Sequence, residues 1–115
     1  MENIDTAKLQ KSIPWQPNTF LEEGDAAIQE QLTFTNKEEY LAWRAEWKAT
    51  YKELSAEIRT LRKQWRAEGS DHDISTHRAL FSKRALARAM LTLRHASKKK
   101  AQELYLAEKE AAKVA

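Results

Sequence analysis

The stretch Asn36 to Glu68 constrains the fold most, because its side chains sort into three unmixed stripes at helical spacing. At about 100° per residue, Tyr40, Trp43, Trp47, Tyr51, Leu54, Ile58, Leu61 and Trp65 share one arc of about 80°. The basic residues Lys37, Arg44, Lys48, Lys52, Arg59, Arg62, Lys63 and Arg66 fall in a second arc of about 100°. The acids Glu38, Glu39, Glu46, Glu53, Glu57 and Glu68 take a third, of about 120°. Charges that served only solubility would be scattered, so the two flanks are expected to meet different surroundings. The apolar spacing alternates between four and three residues from Trp47 to Trp65, a heptad seam that requires a facing helix. Tryptophan is large for such a seam, so small residues are expected opposite.

Local chemistry fixes both ends of this helix. Asn36 followed by Glu39 is a capping box, in which Asn36 accepts from the Glu39 amide and the carboxylate reaches back to the Asn36 amide. Glu38 and Glu39 suit the positive end of the helix dipole and Arg62, Lys63 and Arg66 the negative end, before Gly69 supplies a left-handed stop. Ser70-Asp-His-Asp73 reads as a short turn in which either aspartate can cap the next helix. Asp71, His72 and Asp73 are adjacent in a tight turn, cannot all aim at one ion, and predict no metal site.

The second helix, Ile74 to about Ala112, carries Arg78, Lys83, Arg84, Arg88, Arg94, Lys98, Lys99 and Lys100 with no acid before Glu103. Its apolar sector holds Ala85, Leu86, Ala89, Met90, Leu93 and Ala96 with Ser82 and Ser97, mostly small residues that complement the rings of the first helix. The reading is therefore all-α: a long antiparallel, coiled-coil-like hairpin with helix 36–68, turn 69–73 and helix 74–112. If facing residues are roughly equidistant from Asp71, Lys83, Arg94 and Lys98 join the basic flank of the first helix. Arg84, Arg88 and His95 then face Glu57, Glu53 and Glu46, with Arg84 and Arg88 read as structural ion pairs.

Residues 1–35 differ in kind and read as an N-terminal arm that packs on the hairpin. Both prolines, Pro14 and Pro17, lie there and favour extended chain around Ser12 to Phe20. Asp25 to Leu32 can form a short helix with Ile28 and Leu32 on one face. Trp15, Phe20, Ile28, Leu32 and Phe34 either cover the open side of the helices or, for Trp15 and Phe20, anchor a partner protein. Leu104, Tyr105 and Leu106 extend past the start of the first helix and are expected to pack on the arm.

Composition excludes several classes. The 115 residues contain no Cys, so disulfide, thiolate-zinc and cysteine-nucleophile chemistry are absent. No apolar run reaches a membrane span of roughly 18 residues, and Met1 to Asp5 lacks the start of a signal peptide, which predicts a cytoplasmic chain with no membrane partner. There is no glycine-rich phosphate loop or nucleophile elbow, and His72, His77 and His95 have no carboxylate dyad beside them, so no enzyme and no cofactor are expected.

What remains is one face of the hairpin bearing Lys48, Lys52, Arg59, Arg62, Lys63, Arg66, Lys83, Arg94 and Lys98. A ridge roughly 45 to 55 Å long at 1.5 Å per residue can track phosphates, the contact that supplies most sequence-independent nucleic-acid affinity. The alternatives are a solvated basic flank, or one masked by the acidic arm through Glu22, Glu23, Asp25 and Glu30. Leu41, Leu80 and Leu91 lie outside the seam and offer surface for a protein partner or a homo-oligomer.

Glu39-Tyr-Leu-Ala-Trp-Arg-Ala-Glu-Trp-Lys-Ala-Thr-Tyr51, Leu54-Ser-Ala-Glu-Ile-Arg-Thr-Leu-Arg-Lys63 and Ala87-Arg-Ala-Met-Leu-Thr-Leu-Arg-His-Ala-Ser-Lys98 together resemble small helical proteins of unassigned role in tailed-phage and prophage genomes. The resemblance lies in the helical seam, does not extend to the arm, and brings no catalytic or binding residue with it. It implies expression inside a bacterial host, where such proteins often bind a host protein or nucleic acid, including as inhibitors of host defence.

Overall fold

A computed structural model describes residues 4–11, 28–71 and 73–114, and among these it is all-helical. Three helices are defined: α1 (Thr6–Lys11), α2 (Lys37–Glu68) and α3 (Ile74–Val114), with a further helical turn at 28–31. Helices α2 and α3 pack against each other as the expected long hairpin, and α1 packs on α3. Asp25 and the residues around Pro14 and Pro17, expected to be extended, lie outside the described residues.

The ends of α2 form much as their chemistry dictates. Asn36 Oδ1 accepts from the Glu39 amide at 2.9 Å. The carboxylate of Glu39 reaches one residue further back than expected, accepting from the Thr35 amide at 2.8 Å and the Thr35 hydroxyl at 2.6 Å. These bonds, the hydroxyl first, hold the Glu39 carboxyl below its ordinary pKa of 4.5. At the other end Gly69 has φ 62° and its amide donates to the Arg66 carbonyl at 3.2 Å. A side chain there would meet no neighbour within 4 Å, so any penalty comes from the backbone conformation alone.

Glu68 then ties the two helices across the turn. It accepts from the Asp73 amide at 2.9 Å and the Thr76 hydroxyl at 2.7 Å, and these bonds hold its carboxyl low as well. Asp73 caps α3, its Oδ1 accepting from the Ser75 amide at 3.0 Å.

The core departs from a simple two-helix seam because three layers share it. Ile4, Leu9, Ile28, Leu32 and Phe34 form one buried cluster with Trp43, Trp47 and Leu54 of α2 and Leu86, Met90 and Leu93 of α3. Phe34 is 1% exposed and meets Trp43 edge-on at 5.5 Å and Tyr40 at 4.9 Å. The Trp43 indole donates to the Gln31 carbonyl at 2.8 Å, and the Trp47 indole donates to the Met90 carbonyl at 2.9 Å. Each ring therefore buries its polar edge with a partner, the condition for placing tryptophan inside. Trp47 also stacks on Tyr51 at 4.9 Å with planes 8° apart.

Several expectations fail for identifiable reasons. Trp65 is only half-buried, because at the hairpin tip its ring meets His77 at 5.4 Å and no third layer among the described residues covers it. Leu104 packs against the core, but Tyr105 and Leu106 are exposed, since successive residues on a helix cannot all face one neighbour. Leu80 is buried and so offers no docking surface, whereas Leu41 and Leu91 are about half exposed. Helix α1 goes beyond what the sequence pattern predicts.

Candidate nucleic-acid interface

The contacts between α2 and α3 reveal which side of α3 faces its partner. Thr76, Lys83, Met90 and Arg94 reach α2 at Gln64 and Glu68, at Glu57, at Trp47, and at Tyr40 respectively. This line runs at heptad spacing, and it contains two cations. Lys83 Nζ lies 2.8 Å from Glu57, the acid that the sequence assigns to Arg84. Arg94 donates to the Tyr40 hydroxyl at 2.8 Å and the Ser97 hydroxyl at 2.9 Å, with its guanidinium 5.9 Å from the Tyr40 and Trp47 ring centres. Neither belongs to an outward ridge: Lys83 is engaged across the seam, and Arg94 fills part of it.

The physical reason is that the apolar sector of α3 serves two neighbours. Leu86 and Leu93 share the buried cluster with Ile4 and Leu9, and Lys100 donates to the Leu32 carbonyl at 2.5 Å while lying 4.8 Å from the Phe34 ring centre. The N-terminal segment thus occupies the side of α3 bearing Leu86, Leu93 and Lys100. Helix α2 takes the next side round, and the whole of α3 is turned by about a quarter of a revolution from the orientation its apolar centre implies.

That rotation moves Arg84 and Arg88. Taking the Thr76, Lys83, Met90, Arg94 line as facing α2 and the Lys100 side as covered, Arg84, Arg88 and His95 lie on the opposite, uncovered side. In an antiparallel pair of right-handed helices, the same side of α2 is its basic flank. The acidic flank lies instead on the side where Trp43 meets the N-terminal segment. Arg84 and Arg88 therefore join the basic flank and do not pair with Glu57 and Glu53.

The resulting open face carries Lys48, Lys52, Arg59, Arg62, Lys63 and Arg66 from α2 and Arg84, Arg88 and Lys98 from α3, all exposed. No acid occurs on the α2 arc, and α3 has none before Glu103. The contacts Trp65 to His77 and Glu57 to Lys83 bracket one section of the pair, and between them lie Arg59 and Arg62 on α2 and Phe81 on α3. Beside Phe81, His77, Leu80, Arg84, Ala85 and Arg88 line a shallow notch.

Two features escape a reading of the sequence alone. One is Gln31, which is 4% exposed, with Oε1 accepting from the Asp5 amide at 2.7 Å and Nε2 donating to the Asp5 carbonyl at 3.3 Å. The other is the exposed Phe81, for which the signal is an aromatic residue set among basic ones. Trp15 and Phe20, expected from the sequence as possible partner anchors, lie outside the described residues, as do Glu22, Glu23 and Asp25, expected as acids that could mask the basic face. Among the described residues no three carboxylate, imidazole or thiol groups come together to hold a metal, and no helix is long and apolar enough to cross a membrane. Comparison with known protein families, with curated proteins and with solved structures returns no match.

Proposed function

We propose that the protein is a non-enzymatic binding protein whose open hairpin face contacts nucleic acid through its phosphates. One observation carries the reading: six cations of α3 divide into an engaged set and an exposed set. Arg94 and Lys100 are engaged within the fold by Tyr40 and Ser97 and by the Leu32 carbonyl, and Lys83 pairs with Glu57 across the seam at the surface. Arg84, Arg88 and Lys98 stand exposed beside the exposed basic flank of α2. Like charges gathered on one face repel one another, and an anionic polymer relieves that repulsion by releasing its own counterions.

The test is fluorescence anisotropy of labelled duplex DNA, single strands and structured RNA across a salt series. Binding should weaken as salt rises, with a log–log slope of about −0.9 for each phosphate neutralised on duplex DNA. No salt-dependent binding to any of the three at low ionic strength refutes the reading.

A protein partner is the second reading, favoured by the exposure of Leu41, Ile74, Phe81, Leu91, Tyr105 and Leu106. With the phage resemblance, the partner would be a bacterial host protein. A salt-insensitive complex with a single such protein, together with no nucleic-acid affinity, would select it.

A further inference from the structure

We infer that Arg94, with Arg44 beside it, forms a site for one phosphodiester of a bound nucleic acid, at the edge of the seam where it meets the open face. This rests on the nucleic-acid reading and gives it an anchoring contact. Arg94 is half-buried and differs from the other engaged cations of α3. Lys83 meets the Glu57 carboxylate and Lys100 the Leu32 carbonyl, whereas Arg94 meets two neutral hydroxyls and the faces of Tyr40 and Trp47. No carboxylate among the described residues lies within ion-pair distance of it. A cation drawn partly out of water without a counter-charge is costly, and an anion bound beside it offsets that cost.

The guanidinium also keeps the donors that an oxyanion needs. Nη1 commits both protons to the Tyr40 and Ser97 hydroxyls, at 2.8 and 2.9 Å. The Nη2 and Nε edge remains, a pair of parallel N–H groups that matches two phosphate oxygens. Among the described residues no buried side-chain nitrogen lacks a hydrogen-bond partner, so this edge, which has no partner in the fold, lies open to solvent. Ser97 is fully buried and the two rings lie against the group, so its direction is set before a ligand arrives.

Arg44 reaches the same place from α2. The Trp47 indole meets Met90, and Arg44 lies three residues before Trp47 while Arg94 lies four after Met90. In an antiparallel pair those steps run the same way, about 4.5 and 6 Å along the axes, so the two arginines stand at one level. Arg44 is turned about 60° from Trp47 and Arg94 about 40° from Met90, both toward the open face. Arg44 is half-buried and likewise has no carboxylate partner among the described residues. Two such cations repel one another, and a phosphate between them removes the repulsion. One turn on from each, Lys48 and Lys98 stand exposed in opposite directions along the pair, where a polymer's neighbouring phosphates would lie.

The experiment compares wild type, Arg94→Lys, Arg44→Lys and Lys98→Arg by anisotropy on a labelled hairpin duplex and a labelled oligothymidylate over a salt series, with circular dichroism to check helix content. Each change keeps the charge, so the salt slope should hold throughout. Arg94→Lys should weaken binding about 10- to 150-fold at every salt concentration, because an ammonium cannot reproduce the paired charge-assisted bonds. Arg44→Lys should weaken it in the same sense, and Lys98→Arg, at an exposed point of the phosphate track, should bind like wild type.

If Arg94→Lys keeps its helix content and binds like wild type, the site is overturned and the phosphate-track reading stands. If Arg94→Lys loses helix content, Arg44→Lys decides: unchanged affinity overturns the site, and weaker binding at constant salt slope supports it. If wild type binds no nucleic acid, both readings fall. A thermal shift with inorganic phosphate that Arg94→Lys abolishes, at unchanged oligonucleotide affinity, also overturns the inference, since the site then takes a free anion.

Discussion

Replacing Trp47 with Ala tests whether α2 and α3 are held together by the seam described. Trp47 is 8% exposed, stacks on Tyr51, lies under Arg94 and donates to the Met90 carbonyl across the hairpin. Truncating a buried tryptophan removes its transfer free energy and leaves a cavity, together about 3 to 5 kcal/mol. The Met90 carbonyl still accepts its helical bond, so little is added by losing the indole donor. Against a total stability of about 5 to 15 kcal/mol, the variant should sit close to its unfolding midpoint or shift it strongly. Trp65→Ala is the control. That ring is half-buried, so its loss should cost clearly less, about 1 to 2 kcal/mol, the lower part of the usual range for a single substitution. Urea titration followed by far-ultraviolet circular dichroism gives both values on one scale. Equal losses for the two variants, or a loss under about 1 kcal/mol for Trp47→Ala, would refute the placement of Trp47 at the centre of the hairpin contact.

Gln31→Leu should cost about 1 to 3 kcal/mol, because it removes both side-chain bonds to Asp5, the Asp5 carbonyl keeping its bond from the Leu9 amide; faster proteolysis near α1, with α2 and α3 intact, would show the effect is local. Glu39 and Glu68 are both held below 4.5, so their contribution to stability is present above that value and is lost as pH falls through their folded-state pKa values. Glu39→Gln/Glu68→Gln should accordingly flatten the dependence of thermal midpoint on pH in the acid range, and an unchanged slope would contradict the assigned bonds. Arg59→Gln/Arg62→Gln/Arg66→Gln should leave stability nearly untouched while reducing the salt slope of duplex binding by about 0.9 for each phosphate that is no longer neutralised.

The hairpin was legible because each of its signals is local. Asn36, Glu39, Gly69 and Asp73 act on backbone groups within a few residues, so a sequence specifies them without knowledge of the rest of the fold. The seam of α2 was equally plain because it is narrow, so that the N-terminal segment at Tyr40 and Trp43 and α3 at Trp47 share one stripe. Helix α3 misled because its apolar sector is wide: Leu86, Met90 and Leu93 share one buried cluster with both the N-terminal segment and α2, Lys100 reaching Leu32 on one side and Met90 receiving Trp47 on the other, and the centre of that sector points at neither. Nothing in the periodicity of α3 says where one neighbour ends and the next begins. The short helix α1 left little trace, since six residues carry barely a turn and a half of pattern, and its anchor Gln31 lies 26 positions away from Asp5.

That same error determines how Arg84 and Arg88 should behave when changed to Gln. Paired with Glu57 and Glu53, they would contribute a few tenths of a kcal/mol to stability and nothing to binding. With Glu57 engaged by Lys83, and α3 turned to meet both α2 and the N-terminal segment, they stand with Arg59 and Arg62. The double variant should then bind nucleic acid more weakly with a flatter salt dependence, as the α2 triple variant does, and keep its thermal midpoint or raise it slightly as repulsion on the open face is relieved. Glu57→Gln should show the reverse, a small loss of stability from an exposed pair and no loss of affinity. Should the arginine variant lose stability while its affinity and salt slope stay at wild-type values, α3 would have to be turned back by about a quarter of a revolution, and the face assigned to nucleic acid would lose its α3 half.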